Sequence, residues 1–141
     1  MSGQKSFIDF YNKNQIIPVR QNLKTEGEHF SKRDFLYSCV GLSHLALSNS
    51  SILEFGPGTG QNAINWLKYN PSSITLVDGA DAAIKEIKNI FSKVSVPKDT
   101  QIFIEKSEFK SFEAKNKFDV IWAEGCICLL YTSDAADDRS C

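Results

Sequence analysis

The sequence lacks the features that mark several large classes of protein. It has no apolar run of about 18 residues, the length a membrane-spanning helix needs. Its first residues, Met1 to Lys5, lack the apolar core of a signal peptide. Lys and Arg number 16 against 17 Asp and Glu, a formal net charge of −1, so there is no basic excess of the kind that binds nucleic acid. We therefore expect a soluble cytoplasmic protein that acts neither in a membrane nor on nucleic acid.

Cysteine and histidine, the usual ligands of structural metals, are also scarce. The four cysteines and two histidines of the chain are Cys39, Cys126, Cys128, Cys141, His29 and His44. They contain one C-x-C pair and no spacing typical of a zinc site, so we expect no metal. In a reducing compartment we expect these thiols to be free and mostly buried.

A glycine-rich turn is the most informative stretch. The apolar run Ile52–Phe55 leads directly into Gly56-Pro57-Gly58-Thr59-Gly60, and a helical pattern follows. Glycines let the backbone turn sharply and let a ligand approach closely. A dinucleotide-binding turn reads G-x-G-x-x-G, but here the third glycine comes one residue early and Gln61 follows it. The carboxylate of Glu54 would repel a pyrophosphate and suits a ligand that carries an amine or a positive charge.

The pattern E-x-G-x-G-x-G resembles motif I of the class I S-adenosylmethionine-dependent methyltransferases. The resemblance implies that Glu54, Gly56, Gly58 and Gly60 bind S-adenosyl-L-methionine. It places the loop under the methionine part of the cofactor, with Glu54 acting on the amino-acid moiety electrostatically or through water. The alternative is a glycine-rich turn that binds nothing.

A second acidic position follows the next predicted strand. Residues 74–77 are apolar and β-branched, and they end at Asp78-Gly79. A short carboxylate at the end of a second parallel strand can accept hydrogen bonds from both hydroxyls of a ribose. The alternative is that Asp78 caps a turn or helix. Because this acid also suits NAD, the loop rather than Asp78 distinguishes the two cofactors.

Weaker candidates follow the third and fourth predicted strands, residues 101–105 and 118–123. The resemblance implies that a residue beyond the third strand binds the adenine amino group, and of Ser107 and Glu108 we favour Glu108; the alternative is a solvated loop charge. F-D-V-I at 118–121 resembles motif IV, which implies that Glu124 is a catalytic or substrate-facing residue. Glu124 could equally end the strand in solvent.

Residues before the glycine turn provide further candidates for a substrate site. The resemblance implies that this leading segment folds over the cofactor, which makes Tyr11, Arg20 and His29 candidates. The favoured alternative is that they are packing or solvent-facing residues.

Helical periodicity alternates with these strands, which indicates an α/β fold. We predict helices over 4–12, from Ser31 to Gly41, from Gly60 to Tyr69, and from an Asp81 N-cap to Val94. Four alternating strands predict a Rossmann-like, doubly wound parallel sheet, with the fourth strand buried on both faces. We expect residues 1–50 to form a leading helical segment and 51–127 an incomplete S-adenosylmethionine-binding core.

The carboxyl-terminal stretch does not continue this pattern. Residues 128–138 read CLLYTSDAADD and have neither helical nor strand periodicity. They resemble one reading frame of a sequencing adaptor used in DNA library preparation. We therefore expect 128–141 to be a non-native tail, with the sheet truncated after its fourth strand.

The resemblance implies a methyltransferase in which an acceptor atom attacks the sulfonium methyl group, aided by positioning and desolvation. No N-P-P-Y signature follows the fourth strand, which disfavours adenine and glutamine acceptors. We expect a small-molecule or glycan-type substrate. The alternatives are an NAD-dependent oxidoreductase and a non-catalytic cofactor-binding fragment.

Overall fold

The computed structural model describes residues 7–15 and 26–124, and they form an α/β unit. The helices are α1 (Phe7–Asn14), α2 (Glu26–Cys39), α3 (His44–Leu47), α4 (Gln61–Trp66) and α5 (Asp81–Phe91). The strands are β1 (Ser51–Phe55), β2 (Ser73–Asp78), β3 (Gln101–Lys106) and β4 (Val120–Ala123). Short 3₁₀ turns occupy Leu67–Tyr69 and Phe109–Ser111.

The four strands make one parallel sheet in the order β3-β2-β1-β4. The chain first steps outward from β1 to β3 and then returns to place β4 on the other side of β1. This reversal leaves a crevice beyond the carboxyl ends of β1 and β4, which is where open α/β sheets bind ligands. The predicted Rossmann-like parallel sheet is confirmed.

One face of the sheet carries most of the hydrophobic core. Helices α2, α4 and α5 contribute Tyr37, Trp66 and Ile87, each almost fully buried, to a cluster with Ile52 and Leu76 of the strands. The connections β1-α4-β2 and β2-α5-β3 both step in the same direction across the sheet. Because such connections between parallel strands are right-handed, α4 and α5 lie on the same face. The same face holds the side chain of Glu54.

The other face is only partly covered among the described residues. Its smaller cluster comprises Leu53, Phe55 and Val77, packed against Phe112 and other aromatic side chains. Ile121 of β4 is nevertheless 63% exposed. The prediction that the fourth strand is buried on both faces is therefore wrong, because the β3–β4 connection forms only one 3₁₀ turn instead of a full covering helix.

Three local predictions also need correction. Helix α2 begins at Glu26 rather than at Ser31. Asp81 is the first residue of α5 and not its N-cap, which is Ala80. Cys39 is an exposed free thiol, not a buried one.

Helix α1 packs across the carboxyl edge of the sheet. The side-chain oxygen of Asn12 accepts a hydrogen bond of 2.7 Å from the backbone N–H of Asp81, so α1 supplies the cap that Ala80 lacks. A Cβ on Gly79 would lie 2.4 Å from Cδ1 of Ile8, which shows how closely α1 approaches the end of β2. This contact places α1 beside Asp78.

Some predictions fall outside the described residues. These are the non-native tail at 128–141, the role of Arg20, and the state of Cys126, Cys128 and Cys141. Within the described part of the chain, no helix is long and apolar enough to cross a bilayer.

Candidate functional site

The glycine turn after β1 adopts a backbone that side chains tolerate poorly. Gly56, Gly58 and Gly60 have φ angles of 63°, 60° and 83°, all in the left-handed region. The N–H of Gly56 donates to the carbonyl of Val77, and that of Gly60 to the carbonyl of Pro57, each at 2.9 Å. L-residues with a Cβ pay roughly 1–2 kcal/mol in this conformation. The three glycines therefore meet a requirement of the backbone as well as of any ligand that lies against the loop.

Glu54 lies buried at the end of β1, directly before this turn. The residue is only 2% exposed. Oε1 accepts a hydrogen bond of 2.7 Å from Nδ2 of Asn62, whereas Oε2 has no partner among the described residues. Burial raises the pKa of this carboxyl group to about 8, although the Asn62 bond opposes the rise. A buried polar atom without a partner is costly, so Oε2 is a point at which a ligand donor would be stabilised.

Asn62 connects Glu54 to helix α2. Its Oδ1 accepts hydrogen bonds from the Tyr37 hydroxyl at 2.5 Å and from Nε and Nη2 of Arg33 at 2.9 and 2.8 Å. Sequence reasoning missed all three of these residues. Arg33 and Tyr37 are four apart and so share one face of α2, but no motif in the sequence indicated that this face points to the site.

Arg33 also binds Glu124, the residue that follows β4. Nη1 donates to Oε1 of Glu124 at 2.9 Å, and Nη2 contacts Oε2. Hydrogen bonding from Arg33 holds the pKa of Glu124 below its ordinary value, and Nε1 of Trp122 also donates to Oε2 at 3.2 Å. Glu124 is thus a half-exposed carboxylate fixed at the carboxyl end of β4.

Asp78 lies at the same edge of the sheet as the glycine turn. Phe55 and Val77 are paired in register, so the residues that follow them, Gly56 and Asp78, emerge side by side. Oδ1 of Asp78 accepts a hydrogen bond of 2.8 Å from the N–H of Ala80. Burial raises the pKa of Asp78, and the backbone N–H groups of Ala80 and Gly79 oppose that rise. Asp78 does cap its own turn, as the alternative interpretation held.

The remaining candidates lie on other parts of the fold. Glu108 is exposed and precedes the 3₁₀ turn after β3. The neighbouring Ser107 donates its N–H to the carbonyl of Asp78 at 3.1 Å, which keeps this segment near the end of β2. Tyr11 lies in α1 and His29 in α2.

The sheet order, its parallel strands and the glycine turn at the switch point define a Rossmann-like fold, and solved methyltransferases share it. Magnesium protoporphyrin IX methyltransferase from Synechocystis PCC 6803, solved with bound S-adenosylmethionine, superimposes with a TM-score of 0.62 and 13% identity over 92% of this chain and 65% of that one. The PRMT1 enzyme–prozyme complex of Trypanosoma brucei gives a TM-score of 0.56 and 19% identity over 81% of this chain and 32% of that one. A methyltransferase from Thiobacillus denitrificans, solved with S-adenosyl-L-homocysteine, gives a TM-score of 0.55 and 14% identity over 85% of this chain and 44% of that one.

These similarities concern fold and not close ancestry. No protein-family profile matches the sequence, and no curated protein matches it either. The chain spans between 32% and 65% of the length of these three solved chains.

Proposed function

We propose that this chain binds S-adenosyl-L-methionine and forms part of a methyltransferase. The observation that carries the proposal is the unpartnered, buried Oε2 of Glu54, directly before a turn of three left-handed glycines and next to Asp78. Four structures of the same fold hold S-adenosylmethionine or its product S-adenosylhomocysteine.

The polar groups at this edge are suited to the parts of that ligand. The acceptor Oε2 of Glu54 suits an ammonium group, and the turn at 56–60 admits a close approach of the methionine chain. The carboxylate of Asp78 suits the two ribose hydroxyls, and Glu108 is our candidate for the adenine amino group. The cofactor would supply an electrophilic methyl group, while these residues bind and orient it.

Glu124 is our candidate for the acceptor side of the site. Arg33 and Trp122 fix its carboxylate at the carboxyl end of β4, and hydrogen bonding keeps that carboxylate ionised. An ionised carboxylate there can orient a hydroxyl or amine donor of the acceptor. The protein needs no nucleophile of its own for this reaction.

We propose a small-molecule or glycan-type acceptor. The near-zero net charge and the absence of an N-P-P-Y signature support this class over nucleic acid. An NAD-dependent oxidoreductase is less consistent with the glycine turn, because Gln61 stands where the last glycine of G-x-G-x-x-G would lie. A non-catalytic cofactor-binding fragment would bind the ligand without turnover.

Calorimetric titration of the chain with S-adenosyl-L-homocysteine and with NAD tests the cofactor. We expect saturable binding of the former only. Gly58→Val should abolish that binding, because a β-branched side chain is strained at φ 60° and would occupy the space that our proposal gives to the ligand. Gly41→Val is the matched control: Gly41 has φ 81°, ends α2 far along the chain from the loop, and has open space around its Cβ position. Equal affinity of the wild-type and Gly58→Val chains would contradict the assignment.

The acceptor class is tested with the methyl-labelled cofactor and separate pools of metabolites, nucleotide sugars, RNA and protein. Label that passes an ultrafiltration membrane and separates from the unreacted cofactor in chromatography supports a small acceptor. Label recovered in the RNA or protein pool contradicts it. Binding without label in any pool supports the non-catalytic alternative.

A further inference from the structure

Glu54 is a buried acid whose surroundings do not offset a negative charge. Its one hydrogen-bond donor among the described residues is the neutral amide of Asn62, and Oε2 has none. On the sheet its registered neighbours are Leu76 of β2 and Trp122 of β4. A carboxylate in such a place loses its hydration without gaining a charged partner, so its neutral form is favoured.

The charged and titratable groups that face Glu54 act mainly on one another. From α2, Arg33 and Tyr37 reach Asn62 and not Glu54. Arg33 is paired with the carboxylate of Glu124. Repulsion from Glu124 raises the pKa of Glu54, and the smaller attraction of Arg33 lowers it. The net effect is a protonated acid, with a pKa of about 8, at the end of β1.

We propose that Glu54 exchanges its proton for the ammonium group of the ligand. The O–H bond of the carboxyl group breaks, the proton passes to solvent, and the ammonium group pairs with the carboxylate that remains. One proton is therefore released for each ligand bound below the pKa of the ligand-free acid. This inference rests on the proposed function, because it requires a ligand with an amino-acid moiety.

The exchange makes recognition of the amino-acid moiety separable from recognition of the nucleoside. S-adenosyl-L-homocysteine carries the ammonium group, whereas 5′-methylthioadenosine shares its adenosine and sulfur but has no amino acid. Only the former can form an ion pair with Glu54. We expect proton release with the first ligand and none with the second.

Titration calorimetry of the complete 141-residue chain in two buffers measures this directly. At about pH 6.5 an α-ammonium group is charged, since its pKa is about 7.7–8.0, and Glu54 holds its proton. Phosphate and imidazole differ in ionisation enthalpy, so the difference in binding heat between them counts protons released. We expect close to one proton per S-adenosyl-L-homocysteine.

Two variants assign the proton to its residue. Glu54→Gln should bind 5′-methylthioadenosine as the wild type does, which shows that it is folded, and should bind S-adenosyl-L-homocysteine more weakly and without proton release. Glu113→Gln, at an exposed position of the β3–β4 connection, should match the wild type.

The outcomes separate the two proposals. Tight binding of S-adenosyl-L-homocysteine by the wild type with no proton released would overturn the exchange and leave the proposed function intact. The same release from Glu54→Gln would show that another group supplies the proton, which also overturns it. Failure of the wild type to bind either ligand would overturn both the exchange and the proposed function.

Discussion

A single carboxyl group in the main hydrophobic core weakens the fold that contains it. Glu54 occupies a position between Leu76 and Trp122 that an apolar side chain could fill. An acid retained at such a place is a common feature of binding sites, where burial shifts pKa values away from their ordinary range.

The cost of Glu54 should appear in the pH dependence of stability. The folded chain keeps the Glu54 proton up to a pKa of about 8, whereas the unfolded chain loses it near 4.5. Between these values the folded state binds more protons, so stability falls as pH rises, by about 1.4 kcal/mol per pH unit from this group. Glu54→Gln removes that dependence. Denaturant unfolding at a series of pH values should show that the free energy of unfolding of the variant rises relative to that of the wild type from about pH 4.5 to 8. A difference between the two proteins that does not change with pH would refute the buried-acid assignment.

Asp78 should strengthen the binding of every ligand that carries a ribose. Asp78→Asn keeps an oxygen for the N–H of Ala80 but loses the charge that strengthens hydrogen bonds to hydroxyls. We expect both S-adenosyl-L-homocysteine and 5′-methylthioadenosine to bind about 10-fold more weakly, as loss of a charged hydrogen bond implies. Asp99→Asn, in an exposed turn, is the control. Calorimetry that finds unchanged affinity for both ligands would remove Asp78 from the site.

At the scale of whole elements, local patterns predicted the strands better than the packing of helices. Each strand was placed within two residues, because short β-branched runs between turn residues are a local signal. The polar network of Arg33, Asn62 and Glu124 was missed because its bonds join residues 29 and 91 positions apart. No spacing rule covers such distances. For the same reason sequence reasoning placed Glu124 at the end of a strand but did not identify Arg33 as its partner.

Helix α2 is fixed to α4 by a second polar group on a different face from the site. Oδ1 of Asp34 accepts hydrogen bonds from Nδ2 of Asn65 at 2.9 Å and from the Tyr69 hydroxyl at 2.8 Å, and its other oxygen pairs with Lys68. Burial tends to raise the pKa of Asp34, but these bonds lower it overall. The two sets of contacts together hold Arg33 above the end of β1.

A hydrogen bond joins helix α1 to the start of α5. Asn12→Ala removes the acceptor for the N–H of Asp81, and Ala80 provides no side-chain cap in its place. We expect faster backbone amide exchange at Asp81 and a loss of about 1 kcal/mol, as for other N-cap losses. Asn89→Ala removes a side-chain amide of the same kind from the exposed surface of α5. It should change neither the amide exchange at Asp81 nor the stability. Unaltered protection of Asp81 in Asn12→Ala would mean that α1 does not cap α5 in solution.

On the scale of the whole molecule, the sheet is covered well on one side and poorly on the other. The described residues place α2, α4 and α5 over one face and leave Phe103 and Ile121 of the outer strands 46% and 63% exposed on the other. A cavity of about 570 Å³ opens there, lined by residues 114–118 and Ile121. Apolar surface at a sheet edge favours pairing between chains.

We therefore predict that the isolated chain self-associates through β4. Among the described strands, β4 pairs only with β1 and has no strand along its outer edge beside Ile121. Ile121→Lys should reduce the association, because a charged side chain on an edge strand opposes edge-to-edge pairing. Leu45→Lys is the matched control, since Leu45 is 85% exposed on α3 and not in the sheet. Sedimentation velocity over a range of concentrations should show a smaller average mass for Ile121→Lys than for the wild type or Leu45→Lys. A wild-type chain that is monomeric at every concentration would exclude β4 as the contact, and so would an equal decrease in average mass for both variants.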